Sequence, residues 1–346
     1  MAERSRQSTG LPPADTVGPF ASSWRRRHLT VDERVARGQT ARQEVPRSSH
    51  GRWEPAPDRP DPVALLEQQA ASRVPQLVPV RHGRMLASAF TFYRGSALIM
   101  AADLAATPVS GVTVQLCGDA HLSNFGLFGT PEEWEDPAPL IKKLLSSYRR
   151  TLGRQHHPLE EYRYVHVAYK MVGVGSVGTR CYIMLLTGRD HDDPLFLQMK
   201  EAQSSVLERF LGPSTYSHHG ERVVAGQRLM QAATDIFLGW QRVRGLDGVS
   251  RDYYVRQFHD WKGGADVETL LVPGATLYAR ICGATLARAH ARWGDRIAIA
   301  SYLGKGDTFD RAMADFSAAY ADQNERDYAA FAAAVDSGRL IARTGV

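Results

Sequence analysis

The spacing of apolar positions changes several times along the chain, and the changes divide it into segments. Residues 1 to about 60 hold no sustained period. Ser, Pro and Arg dominate there, with breaks at "LPPAD" and "EPAPDRPDP", so a loose leader is expected. "DPVALLEQQAASRV" predicts a short helix opened by Asp61 and Pro62. "SALIMAADLAAT" predicts a second, strongly apolar helix ended by Pro108 and Gly111. "VTVQLC" predicts a strand that opens into the polar stretch "GDAHLSNFG". After the acidic, turn-rich "GLFGTPEEWEDPAP", helical spacing resumes in "LIKKLLSSYRRTL".

The next block is richer in β-branched and aromatic residues. Cys181–Leu186 and Leu195–Met199 read as strands joined by the turn "TGRDHDDP", and "DIFLGWQRVRGLDGVSRDYYVRQF" reads as a further hairpin with Gly and Asp in its turn. From about Thr269 the chain is Ala-rich with helical spacing. There is no internal repeat. The expected fold class is α+β. The expected divisions are a flexible basic leader over 1–60, a helical segment with a strand and polar loop over 61–145, a glycine-rich β-hairpin lobe over 146–262 and a helical part over 263–346. Residues 61–346 read as one integrated domain.

Charge adds little to this picture. The 42 basic and 37 acidic side chains leave a formal +5, but nine arginines and five acids fall within the first fifty residues, so most of the excess lies in the leader. A folded part so nearly neutral argues against general nucleic-acid binding. Cys117, Cys181 and Cys282 make no disulfide or metal-knuckle pattern, which suits a reducing cytoplasm. No apolar run is long enough to predict a membrane span, and Arg25-Arg26-Arg27 is followed by "HLTVDERV" rather than an export signal's apolar region. Lysine is scarce, six against 36 arginines, which draws attention to each one.

Residues Gly173 to Gly178 spell G-x-G-x-x-G. A dinucleotide fold would require a helix directly afterward, whereas the strand-like "RCYIMLL" follows. A glycine-rich turn between antiparallel strands is the arrangement by which kinases cover nucleotide phosphates, although a tight hairpin needing positive φ uses the same residues. Lys200 ends the strand after that turn, where a kinase needs a lysine for the α- and β-phosphates. Alternation sets Lys200 on the same face as Gln198. Glu201, Glu208 and Glu221 are all available as its acidic partner.

Asp119 and Asn124 stand at the D-x-x-x-x-N spacing of a phosphotransferase loop, where Asp accepts the substrate hydroxyl's proton and the Asn amide oxygen holds a metal. "GDAHLSN" also resembles the H-G-D-x-H-x-x-N loop of aminoglycoside phosphotransferases, with Cys117 in the place of the first His and His121 matching the second. His290 and Asp295 form an alternative pair, without an Asn at the needed spacing. Arg94, Arg256 and His259 are single polar residues beside apolar runs that could line a pocket.

As a whole the chain resembles DUF 2252, a bacterial family without an assigned function. The resemblance is carried by "LVPVRHGRMLASAFTFYRGSALIMAADLA", "VQLCGDAHLSNFGLF", "KMVGVGSVGTRCYIMLL", "PLFLQMKEAQSSVLE", "GQRLMQAATDIFLGW", "DYYVRQFHDWKGGAD" and "AYADQNERDYAA". It implies an apolar strand ending in an acidic NDFDE-like motif after "NFGLF"; here "GTPEEWEDPAP" runs directly into "LIKKLL". That leaves Asp136 as the nearest stand-in carboxylate. The combined expectation is a kinase-like two-lobe architecture, circularly permuted because the Asp119 loop precedes the glycine-rich turn. It would bind ATP through Gly173, Gly175, Ser176, Gly178 and Lys200, with Asp119 and His121 catalytic and Mg²⁺ on Asn124 and Asp136. Its second substrate would be a hydroxyl-bearing small molecule or protein, and loss of the acidic motif would impair turnover. The competing expectations are a nonenzymatic, pseudokinase-like binding protein and a metal-dependent hydrolase built on Asp119 and His121.

Overall fold

The computed structural model describes residues 28–118, 145–152, 158–170, 173–190, 192–245, 247–258 and 269–345. Its strands are β1 (Arg163–Tyr169), β2 (Cys181–Thr187), β3 (Pro194–Ala202), β4 (Gly239–Arg244) and β5 (Ser250–Gln257). They form an antiparallel sheet in the order β1-β2-β3-β5-β4. Both hairpins expected from the apolar pattern are present. β1 is an addition to that pattern; it pairs with β2, so the glycine-rich turn joins β1 to β2 and Lys200 sits on the third strand.

Strand alternation sorts the side chains. Met184, Leu186, Leu195, Leu197, Met199, Tyr253 and Val255 bury themselves against Tyr148, Leu152, Leu159 and Phe237. The opposite face carries Cys181, Gln198, Lys200, Tyr254 and Arg256. The helices number α1 (Val31–Glu44), α2 (Pro62–Ala70), α3 (Val78–Met85), α4 (Ala89–Gly95), α5 (Ala97–Ala105), α6 (described over 145–149), α7 (Glu208–Leu211), α8 (His219–Met230), α9 (Val272–Trp293), α10 (Arg296–Leu303) and α11 (Thr308–Asp336). α8 lies between β3 and β4 in sequence and packs on β3, β4 and β5. Gly220 permits this approach, because a Cβ there would stand 2.2 Å from the Tyr253 carbonyl oxygen. Arg228 of α8 reaches over the Trp240 ring, which shares the Lys200 face, so α8 covers that side of the sheet.

A second core joins α2, α4, α5 and α11, with Leu66, Phe92, Leu98 and Phe331 at its centre. As the sequence predicts, Asp61 caps α2 by accepting from the Val63 amide at 3.1 Å, with Pro62 in the first turn. Arg59 binds both Asp103 of α5 (2.6 Å) and Asp327 of α11 (2.6 Å), tying the two helices together.

The structure differs from expectation in two places. The loose leader does not extend to residue 60. α1 is closed by a capping box between Thr30 and Glu33 and packs on α10, where Gly38 approaches Ala298 closely. Trp53 is buried edge-on to Tyr320, with ring centroids 4.9 Å apart. The weak amphipathicity of α1 hides it from the apolar pattern, since much of its surface remains polar and exposed. Nor do residues 112–117 form a strand: Val114 and Leu116 are exposed, and this stretch pairs with no strand among the described residues. Alternation supplies the side chains for a strand, but its backbone also needs a neighbour to bond. Among the described residues no helix is long and apolar enough to cross a membrane.

Candidate functional site

The turn between β1 and β2 runs from Gly173 to Gly178 through a short 3₁₀ segment, Val174–Ser176. Val174 and Val177 are buried, and Val174 joins the helical core beside Phe92. Arg73, just past α2, braces the turn: its guanidinium donates to the carbonyls of Val177 and, at 3.1 Å, Gly175. The Val74 amide donates to the Gly178 carbonyl at 2.8 Å. Gly178 has φ +89°, and a Cβ there would stand 3.0 Å from the Arg73 Cβ, so both conformation and space call for glycine. A Cβ on Gly175 would lie 3.0 Å from the Arg94 carbonyl oxygen. Gly173 and Gly175 themselves are exposed. The turn is docked on α3 and α4 with its glycine backbone open on the outside.

Lys200 stands opposite Cys181 on β2 and opposite Tyr254 on β5. Burial pushes the Cys181 thiol up, while the charges of Lys200, Lys170 and Arg256 and a hydrogen bond with Gln198 pull it down. Three cations therefore gather around one buried thiol on this face. Arg256 donates to the Gln198 side-chain oxygen at 3.2 Å, and the Lys170 ammonium lies 4.7 Å from the Phe258 ring centroid. Gln198 and Lys200 share a face, as their spacing predicts.

The three acids considered for Lys200 separate. Glu201 belongs to the other face of β3, where it accepts from the Arg180 amide (3.1 Å) and guanidinium (3.3 Å). Glu208 accepts from the Ser205 amide at 3.0 Å and faces Arg222 at 3.6 Å. Both are committed to arginines, and Glu221 remains in the first turn of α8. Asp119, His121, Asn124 and Asp136, like His259, lie outside the described residues. Asp295 serves the fold, capping α10 by accepting from the Ile297 and Ala298 amides and binding Arg34 at 2.8 Å.

A cleft of about 1020 Å³ opens between the end of α2, the end of β3 and the start of β5, lined by Gln69, Glu201, His219, Arg242, Arg251 and Asp252. Several of its charges are already paired, some of them with groups outside the lining. Arg242 binds Asp252 at 2.5 Å and Arg251 binds Asp247 at 2.5 Å, so the cleft offers less to a charged ligand than its composition suggests.

Sequence reasoning misses Arg73, Arg81 and the partnering of the turn. Arg94 stands out in the sequence only as a residue that could line a pocket. Its signal is negative: an arginine inside an apolar helical stretch with no acid at helical spacing. The model of a family described as an uncharacterized protein conserved in bacteria, DUF2252, matches residues 73–134 and 135–334. No curated protein and no solved structure matches the chain.

Proposed function

The chain belongs to the DUF2252 family, and from the motifs it carries we propose that it is a kinase-like nucleotide-binding protein, a phosphotransferase or a catalytically impaired relative of one. One observation carries the proposal. A glycine-rich turn joins the first two strands, a lysine stands near the end of the third, and a helix placed between the third and fourth strands packs on the lysine's face. This is the order of parts by which a kinase holds nucleotide phosphates.

In this reading the exposed backbone of Gly173, Gly175 and Ser176 approaches the phosphates, closed off by Gly178. Lys200 neutralises phosphate charge, with Lys170 and Arg256 adding to the positive field of the same face. Asp119 would take the proton of an acceptor hydroxyl, with His121 beside it in sequence, and Asn124 and Asp136 would hold Mg²⁺. When bound, Mg²⁺ neutralises charge on the phosphate oxygens. The loop ahead of the turn in sequence calls for a circularly permuted, two-lobe arrangement.

Two observations favour weak or absent turnover. The family match divides at residues 134 and 135, close to where the acidic motif is missing from the sequence. The glycine-rich turn is packed on α3 and α4 and held from the segment after α2 by Arg73, rather than free to close over a substrate. Differential scanning fluorimetry with ATP, with and without Mg²⁺, paired with a phosphate-release assay, tests the reading. Stabilisation by millimolar ATP is expected by mass action. A folded sample whose melting temperature ATP leaves unchanged would overturn it.

A further inference from the structure

Two guanidinium groups, those of Arg73 and Arg94, reach the glycine-rich turn and a third, that of Arg81, is buried near Arg73; none is bonded to a carboxylate among the described residues. Arg73 spends its two terminal nitrogens on the carbonyls of Gly175 and Val177, and its Nε has no partner. Arg81 is fully buried. It donates to the Gln69 side-chain oxygen at 2.8 Å and to the Gly95 carbonyl, while its Nε and Nη1 are without partners. Arg94 makes no hydrogen bond or ion pair among the described residues. Its guanidinium lies 6.0 Å from the Phe90 ring centroid, and its Nη2 is 3.9 Å from where a Cβ on Gly173 would stand. Burial, with the charge of Arg73, holds Arg81 down to about 9; burial holds Arg73 down to about 10, against the opposing charge of Glu201.

A buried cation without a counter-charge is costly, and most proteins pair one or leave it out. Contrast Arg59, also largely buried, which has two carboxylates. Arg73 and Arg94 adjoin the exposed backbone of Gly175 and Gly173, with Arg81 buried near Arg73. A compact anion bearing several acceptor oxygens would meet a free guanidinium and glycine backbone there, with two more positive charges behind it in a poorly screened interior.

We infer that Arg94, with the exposed backbone of Gly173 and Gly175, forms a binding site for a phosphate group, whose affinity is raised by the charges of Arg73 and Arg81 behind it. The site shares the glycine-rich turn with the nucleotide reading but does not rest on it, since any carrier of the phosphate would satisfy the same contacts.

The test titrates pyrophosphate, inorganic phosphate and ATP into the full chain by calorimetry, at ionic strength matched with chloride. It compares the unaltered protein with Arg94→Gln, Arg94→Lys and Lys200→Ala. Pyrophosphate is expected to bind, and to lose about tenfold or more in affinity in Arg94→Gln and less in Arg94→Lys. Ligand-free melting curves and far-ultraviolet circular dichroism establish that each variant is folded, which the lack of hydrogen bonds from Arg94 leads one to expect. Pyrophosphate binding that is absent, or equal in the unaltered protein and Arg94→Gln, overturns the inference. ATP binding that needs Lys200 but is indifferent to Arg94 overturns it while leaving the nucleotide reading intact. Arg94-dependent pyrophosphate binding without ATP binding supports it and removes the nucleotide reading instead.

Discussion

Lys200 lies directly opposite Cys181 across the β2–β3 ladder, and its charge is among those that draw down a thiol which burial pushes up. The pairing fixes which face of the sheet the ammonium serves. Lys200→Ala should remove charge from that face without touching the hydrophobic core on the other. ATP affinity is expected to fall about tenfold or more, the scale of a lost charge-assisted contact, while the ligand-free melting temperature changes little. Calorimetry with ATP and a melting curve of the same variant check both.

Asn124 offers an amide where a kinase-like site would want carboxylates around its metal, and neutral amides hold Mg²⁺ weakly. ATP affinity is therefore expected to depend little on Mg²⁺, and phosphate release to stay near background. Asp119→Asn should alter ATP affinity by less than about threefold, since a proton acceptor contributes to the chemical step rather than to ground-state binding. Brisk Mg²⁺-dependent turnover in a phosphate-release assay would mean that another acid, such as Asp136, has taken the missing motif's role.

Arg59 and Arg81 are both buried arginines with opposite surroundings. Arg59→Met strands Asp103 and Asp327, each nearly inaccessible, and is expected to cost about 3–5 kcal/mol. Arg81→Met gives up bonds to Gln69 and the Gly95 carbonyl but also relieves an uncompensated charge, so a cost of about 1 kcal/mol or less is expected. Urea unfolding of the two variants, read at the midpoint, orders them. Equal costs would show that the Arg81 charge is better solvated than its burial suggests.

His82 is buried against Phe331, with Nδ1 at 2.8 Å from the Ile341 carbonyl and Nε2 without a partner. Burial lowers its proton affinity, the bond to Ile341 opposes that, and the charges of Arg81 and Arg73 lower it further. The unfolded chain thus takes up a proton that the folded one refuses. Stability is constant above the ordinary histidine range, and falls as pH drops below about 6.5. His50 and His218, also held down mainly by burial, add the same sign. Urea midpoints at pH 7.5 and 5.5 should differ less in His82→Gln than in the unaltered chain.

Gly178 and Gly173 bracket the same turn with different tolerances. Gly178→Ala forces an alanine to φ +89° against the Arg73 side chain and is expected to cost about 1–3 kcal/mol. Gly173→Ala meets nothing closer than 3.9 Å and should leave stability nearly unchanged while weakening pyrophosphate binding, because it covers backbone beside Arg94. Melting temperatures and pyrophosphate titrations of the two variants separate folding from binding.

Much of this molecule is written locally. The cap at Asp61, the alternation that sets Gln198 and Lys200 on one face, the hairpin of β4 and β5 and the Ala-rich helices after Thr269 all follow from residues within a few positions of each other. Their signals are short-range hydrogen bonds, backbone preferences and the period of one element, which a sequence carries on its face. Tertiary structure decided what those elements meet. Residues 112–117 have a strand's alternation yet pair with no strand among the described residues, whereas the less patterned α1 is ordered by α10. Glu201 follows Lys200 in sequence but belongs to the opposite face, with Arg180. Arg73, Arg81 and Arg94 come from three points in the helical region and gather at or near a turn roughly a hundred residues later, without an acid to pair with them among the described residues. Burial is a property of the assembled surface, and so is the cost of leaving a charge there unpaired. The packing of α3 and α4 on the turn, together with the bonds Arg73 makes to it, brings those arginines together.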